Sequence, residues 1–215
     1  MTDLKKNFYR TVIKAIALTV ALLIFLLPIC SCSLENAITV RGEKADFAAM
    51  SYDELAEYIA VGQYKDLTIS LQGQNKGDAV WDAICENSDI KKYHEEHVYY
   101  YINQLEGQYK YYADKAGISY EEMLEELGLN EGSIIKEAKV LTKEDMVYNL
   151  IVKLEEITLE ESEKQALFSK YADKYVSTYG YTKEYVEQNM SDLIYASMLY
   201  DKTTEFLILN NNFTE

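Results

Sequence analysis

Apolar residues recur every three or four positions over most of the chain from Trp81 onward, which is the spacing of an α-helix with one buried face. The longest stripes run through residues 91–116, where Gly117 ends the pattern, and through residues 131–156. Shorter stripes predict further helices around residues 52–59, 80–85, 120–127, 158–179, 182–190 and 191–207. The chain is therefore expected to be mainly helical.

Helix starts are marked by capping boxes, in which a Ser or Thr and a Glu three residues later bind each other's free backbone N–H groups. The sequence has this signal at Ser51–Glu54, at Ser119–Glu122 and at Thr158–Glu161. Thr182 is expected to start the next helix, and the pair Ser191-Asp192 is expected to cap the last one. These signals divide the helical part of the chain into separate elements.

The segment from Tyr64 to Leu71 has a different period. Leu67, Ile69 and Leu71 alternate with polar residues, which is typical of a half-buried strand. No other part of the sequence shows this pattern clearly, and one strand is not stable alone. Its partner is expected to be a short segment near Ile38–Val40, or another chain.

These patterns predict a mainly α fold with one short β-strand or hairpin near the N-terminus of the mature chain. The expected organisation is a signal peptide at residues 1–31, a tether at 32–45, a small α/β segment at 46–79 and a helical domain at 80–215.

The N-terminus has the pattern of a secretory signal. Four basic residues come first, and an apolar run of 14 residues from Ala15 to Pro28 follows. A membrane-spanning helix needs about 20 residues, so the run fits a signal better than a permanent anchor. Cys32 follows Ser31 and has Ile29 three positions before it, which resembles the lipobox of bacterial lipoproteins.

The lipobox resemblance implies that Cys32 carries a diacylglycerol and becomes the mature N-terminus. Two acyl chains suffice for stable anchoring, so we expect the protein at the extracytoplasmic face of the cell membrane. The alternatives are an ordinary secretory signal and an uncleaved short anchor.

Composition narrows the possible partners. Without residues 1–31 the chain keeps 17 Lys and Arg against 35 Asp and Glu, a net charge of −18. Such acidity argues against binding to nucleic acid, whose phosphates need clustered basic residues. If Cys32 carries lipid, Cys85 has no partner for an intrachain disulfide, and stability must come from packing.

No residue pattern predicts catalysis, a metal or a cofactor. His94-Glu-Glu-His97 lacks the four-residue spacing of the zinc protease motif, and we interpret it as a surface helix start. Cys85 lies on an apolar face beside Trp81 and is expected to be a buried thiol. We find neither a nucleophile with an adjacent base nor a glycine-rich phosphate loop, so neither an enzyme nor a small-molecule substrate is expected.

Seven short sequence segments resemble, in the same order along the chain, the C-terminal substrate-binding module of trigger factor-type chaperones. Together the resemblance covers about 150 of the 215 residues. The segments are Tyr58–Ile69, Val80–Ile84, Glu86–Tyr93, Gly117–Glu122, Ile157–Glu161, Tyr179–Tyr181 and Lys202–Leu209. The resemblance implies an elongated multi-helix module that binds unfolded or exported polypeptides.

The departures from that family affect the expected activity. Its ribosome-binding domain is absent, and only Gln72–Ala79 stands where the prolyl isomerase domain normally lies. Eight residues cannot form that domain, so the resemblance implies client binding without catalysis.

Tyrosine occurs 20 times in the chain and provides a large apolar area with a polar end, which suits client contact. Tyr99, Tyr100 and Tyr111 lie off the apolar stripe of their helix and are the candidate client-binding residues. Packing at helix junctions is the alternative role for any one of them.

Two other functions stay open at this point. The protein could be a non-catalytic envelope protein with one specific partner, or a peptidyl-prolyl isomerase by homology.

Overall fold

The computed structural model describes residues 42–215 and is mainly helical, which confirms the predicted fold class. The helices are α1 Tyr52–Ala56, α2 Lys76–Glu86, α3 Glu95–Ala116, α4 Tyr120–Leu127, α5 Glu131–Leu154, α6 Glu161–Tyr179, α7 Lys183–Asn189 and α8 Ser191–Leu209. The strands are β1 Ile59–Ala60, β2 Thr68–Ser70, β3 Asp89–Ile90 and β4 Asn212–Thr214. Within residues 42–215, no helix has the length and apolar character needed to cross a membrane.

The chain folds into two compact units. Residues 42–46 and 93–142 form the first unit, and residues 47–92 and 143–215 form the second. Helix α5 therefore supplies its first half to one unit and its second half to the other. The predicted signal peptide, Cys32 and the segment Ile38–Val40 lie outside the described residues.

The core of the first unit joins α3, α4 and the first half of α5. Its buried residues are Val98, Tyr101, Leu105, Leu124, Ile134, Ala138 and Leu141. Helix α3 ends at Gly117, which has the left-handed backbone conformation expected of a helix end (φ 69°). The predicted limits of this helix are therefore right at its C-terminal end.

Three predicted helix starts are confirmed. Ser51 and Ser119 each form a complete capping box, in which the Ser hydroxyl oxygen accepts from the backbone N–H of Glu54 or Glu122 and that Glu binds the backbone N–H of the Ser. The Thr182 hydroxyl oxygen accepts from the backbone N–H of Tyr185 at 3.2 Å.

Two predicted helix caps are wrong. The cap of α6 is Glu160, whose backbone N–H donates to Glu163 at 2.8 Å, rather than Thr158. The chain at Thr158 is not yet helical, and its carbonyl accepts from Lys202 instead. The cap of α8 is Met190, because α7 runs almost directly into α8 and leaves Ser191 already helical.

The expected strand exists, but the expected pairing is wrong. β2 pairs in parallel with β4 at the C-terminus, with Thr68 opposite Asn212 and Ser70 opposite Thr214. β1 and β3 form a second, antiparallel pair. The described residues thus contain two two-stranded sheets where one strand or hairpin was expected, because a strand too short to show alternation can still pair when packed helices support it.

An aromatic cluster in the second unit joins α2, α5 and α8. The Trp81 ring stacks on Tyr200, with centroids 5.6 Å apart, and meets Tyr148 edge-on at 6.0 Å. The Trp81 indole N–H donates to the Thr204 hydroxyl at 2.9 Å. Because the ring's polar atom has a partner, the half-buried indole packs between three helices without an unsatisfied donor.

Candidate functional site

The candidate client-binding residues lie on α3, a 22-residue helix of the first unit. Tyr101 and Leu105 fix it to the core, at 6% and 1% exposure. Lys139 of α5 places its ammonium group 5.3 Å from the ring centre of Tyr93, just before α3. Side chains on the outer side of α3 are therefore carried by an anchored helix rather than by a loop.

Tyr99 and Tyr111 are exposed, as the sequence predicts for residues off the apolar stripe. Their exposed fractions are 54% and 48%. Tyr111 meets the ring of Tyr112 at 5.5 Å, and the Lys115 ammonium lies 5.4 Å from its ring centre. Both phenol rings can offer an apolar face and a hydroxyl to a partner.

Tyr100 has a different environment from the other two. It is half-buried, and its ring lies 5.7 Å from His97 and 5.3 Å from Tyr101. We name His97, Tyr100 and Tyr101 the aromatic cluster of α3. Tyr100 belongs to this cluster, so much of its ring is already occupied.

The three tyrosines do not form one patch. An α-helix turns by about 100° and rises by about 1.5 Å per residue, so Tyr111 lies roughly 120° around the helix axis and about 18 Å along it from Tyr99. Tyr100 and Tyr111 lie on nearly the same side, about 16 Å apart along the axis. A partner that contacts Tyr99 and Tyr111 together would have to extend along three turns of α3.

The interpretation of His97 as a surface residue is wrong. His97 is fully buried, and its Nδ1 accepts a hydrogen bond from the backbone N–H of Ala45 at 2.9 Å. His94 is the N-cap residue of α3, so only this end of the motif marks a helix start. Among the described residues, no group of three His, Cys, Asp or Glu side chains is arranged to hold a metal ion.

Residues 42–45, the end of the expected tether, lie against the start of α3. A Cβ atom at Gly42 would lie 2.7 Å from the Glu96 carbonyl oxygen and 2.8 Å from the Tyr100 backbone nitrogen. Gly42 also has φ +121°, a backbone conformation that other residues rarely adopt. Both observations require glycine at this position.

Burial favours the neutral form of two ionisable side chains, Tyr120 and Cys85. Burial, followed by the nearby Glu106, raises the pKa of the Tyr120 phenol to about 12. Burial, followed by Glu144, raises the pKa of the Cys85 thiol to about 12 as well. Cys85 is half-buried rather than fully buried as expected, and its environment disfavours the reactive thiolate.

Sequence reasoning missed two further apolar side chains on the surface of the first unit. Ile135 and Val140 of α5 are 42% and 41% exposed. Both stand outside the stripe formed by Ile134, Ala138 and Leu141, and that position is the signal that identifies them. They add aliphatic surface to the tyrosines of the same unit.

Comparisons with protein-family models, with curated proteins and with solved structures found no match for this chain.

Proposed function

We propose that this protein is a membrane-anchored extracytoplasmic lipoprotein that binds unfolded or newly exported polypeptides, as a chaperone without catalytic activity. The observation that carries the proposal is the pair of exposed tyrosines, Tyr99 and Tyr111, on the anchored helix α3. Large aromatic rings on a rigid helix contact apolar client segments at low entropic cost.

The surroundings of the tyrosines support a binding surface for extended chains. Ile135 and Val140 add exposed apolar area on α5 of the same unit. The chain carries a formal net charge of −15, which keeps a protein with exposed aromatic groups soluble. Weak contacts spread along a helix suit partners that have no fixed structure.

The proposal predicts that the protein suppresses client aggregation. We expect the full chain in phosphatidylcholine nanodiscs, at a severalfold molar excess, to reduce light scattering from guanidinium-denatured citrate synthase. Replacing Tyr99 and Tyr111 together by Ser should weaken the suppression about fivefold or more, since each exposed aromatic contact contributes roughly 0.5–1.5 kcal/mol.

Two controls accompany this assay. Empty nanodiscs give the baseline, and Tyr185→Ser removes a tyrosine of similar exposure, 47%, from the second unit. Suppression equal to that of empty nanodiscs would contradict the chaperone function. Suppression that falls equally in Tyr185→Ser and in the double variant would keep the function and reject α3 as its site.

Lipid attachment is tested separately. In a bacterial expression host fed an alkyne-tagged fatty acid, we expect the wild-type protein to carry the label and to sediment with membranes. Cys32→Ser should lose the label almost completely, because the serine hydroxyl has no sulfur to form the thioether at the lipid-attachment position. Cys30→Ser is the matched control and should keep it. Equal labelling of both variants would refute Cys32 as the attachment site.

A further inference from the structure

The segment at the start of the described chain, residues 42–46, crosses the first turns of α3; we name it the strap. It has no regular secondary structure, and it belongs to the first unit. Gly42 lies against the α3 backbone between Glu96 and Tyr100. Three residues later, Ala45 donates its backbone N–H to His97.

The strap lies beside the proposed client site. The Tyr99 Cβ would be only 2.7 Å from a Cβ atom at Gly42, so the strap passes the base of this exposed ring. The imidazole that Ala45 binds touches Tyr101 edge-on, with ring centres 5.1 Å apart, and Tyr100 at 5.7 Å. The strap therefore lies over one end of the aromatic cluster of α3.

Detachment of the strap would change which side chains of α3 are accessible to a client polypeptide. His97 would lose the donor that satisfies its Nδ1 and would become accessible, together with the base of Tyr99. The surface opened in this way is aromatic and adjoins a tyrosine that is already exposed. It would extend the apolar area offered to an unfolded polypeptide by about one helical turn.

We infer that the strap is an autoinhibitory contact: it covers the aromatic cluster of α3, and client polypeptides bind more tightly when it is detached. This inference rests on the proposed function and adds its regulation. The strap and an extended client segment compete for the same surface of α3. The client can bind this surface only when the strap is detached. Client affinity is then reduced by the fraction of molecules in which the strap is open.

Gly42 offers a direct way to loosen the strap. In Gly42→Ala, the added Cβ would meet α3 backbone atoms at 2.7–2.8 Å, which side-chain motion cannot relieve. The matched control is Gly73→Ala, since Gly73 also has positive φ (+86°) but a Cβ there would meet nothing within 4 Å. Both variants carry the backbone strain of alanine at positive φ, and only the first displaces the strap.

Two measurements on the full chain in nanodiscs test the inference. Hydrogen exchange of the Ala45 amide reports the strap, and fluorescence anisotropy of labelled, reduced and carboxymethylated α-lactalbumin reports client binding. In Gly42→Ala we expect the Ala45 amide to exchange about tenfold faster and the client to bind about tenfold more tightly. These factors apply if the strap is detached in about a tenth of wild-type molecules and in nearly all molecules of the variant. Gly73→Ala should match the wild type in both.

Linkage gives a second test without mutation. If the client binds the open state, saturating client must raise Ala45 exchange in the wild-type protein by the same factor.

The outcomes separate the inference from the proposed function. Faster Ala45 exchange with unchanged or weaker client binding would overturn the inference and leave the chaperone function intact. Unchanged Ala45 exchange in Gly42→Ala would also overturn it, because Gly42 would then not hold the strap. Failure of wild-type protein and both variants to bind the client would contradict the proposed function itself.

Discussion

Replacing Trp81 by Ala is expected to lower the free energy of unfolding of the second unit by about 3 kcal/mol, the low end of the range for buried aromatic side chains, because Trp81 is half-buried. The substitution removes the stacked contact with Tyr200 and the edge contact with Tyr148. It also leaves the Thr204 hydroxyl without the indole donor. The cavity opens between three helices, which cannot all close in to fill it.

The result can be measured by thermal unfolding of the full chain in nonionic detergent, followed by circular dichroism at 222 nm. The midpoint should fall by roughly 10 °C or more. Trp81→Phe is the matched control: it keeps a ring for Tyr200 and loses the hydrogen bond, so its loss should be markedly smaller. Equal losses in the two variants would show that the hydrogen bond to Thr204, rather than ring packing, stabilises this region.

Deleting residues 211–215 is expected to lower the free energy of unfolding of the second unit by about 4–6 kcal/mol. Each backbone or amide hydrogen bond lost contributes about 1 kcal/mol, and the lost packing of Phe213 adds to this. The Asn211 side chain makes three of these hydrogen bonds. Its amide oxygen accepts from the backbone N–H of Leu67, and its amide NH₂ donates to the carbonyl oxygens of Tyr64 and Leu207. The backbone contacts of β4 with β2 are lost as well. This loss is comparable with the total stability of many domains.

Hydrogen exchange gives the sharpest measurement of this effect. Amides of β2 and of α2 should lose protection in the truncated chain, while those of α3, in the first unit, should keep it. Deletion of Glu215 alone is the control, since its side chain is exposed and β4 ends before it. Unchanged protection of β2 in the longer deletion would contradict the stabilising role of the β4 pairing.

The helices could be predicted from the sequence because local signals define them. Apolar spacing gave the long helices, and Ser51 and Ser119 formed the predicted capping boxes. Gly117 ended α3 where expected. These features depend on residues within one or two turns of each other, so the sequence pattern contains the information. The failures at Thr158 and Ser191 arose where distant elements or an adjacent helix changed the local backbone.

The pairing of β2 could not be predicted for the opposite reason. Its partner segment, Asn212–Thr214, has one apolar residue between two polar ones and no alternation long enough to recognise. The register is set by Asn211, whose side chain binds backbone groups more than 140 positions earlier. No local pattern records such a contact.

The candidate site was predicted in part. The exposure of Tyr99 and Tyr111 follows from their positions off the apolar stripe of α3. Tyr100 has the same kind of position but is half-buried, because it packs with His97 and Tyr101. The burial of His97 depends on a donor 52 residues away, at Ala45, which helical periodicity cannot reveal. Lipid attachment at Cys32 and client binding stay predictions.

The parallel sheet also constrains when the second unit can finish folding. Polypeptides emerge from the ribosome with the N-terminus first, and β4 lies about 144 positions after β2 in the sequence. β2 must therefore wait, unpaired, until Asn212–Thr214 has emerged, and the closure then joins residues about 144 positions apart. Pairing over such a distance is slow compared with helix formation. A chain stalled before residue 212 would leave β2 without its partner strand and Ile69 without part of its cover, in a form suited to recognition by quality-control proteases.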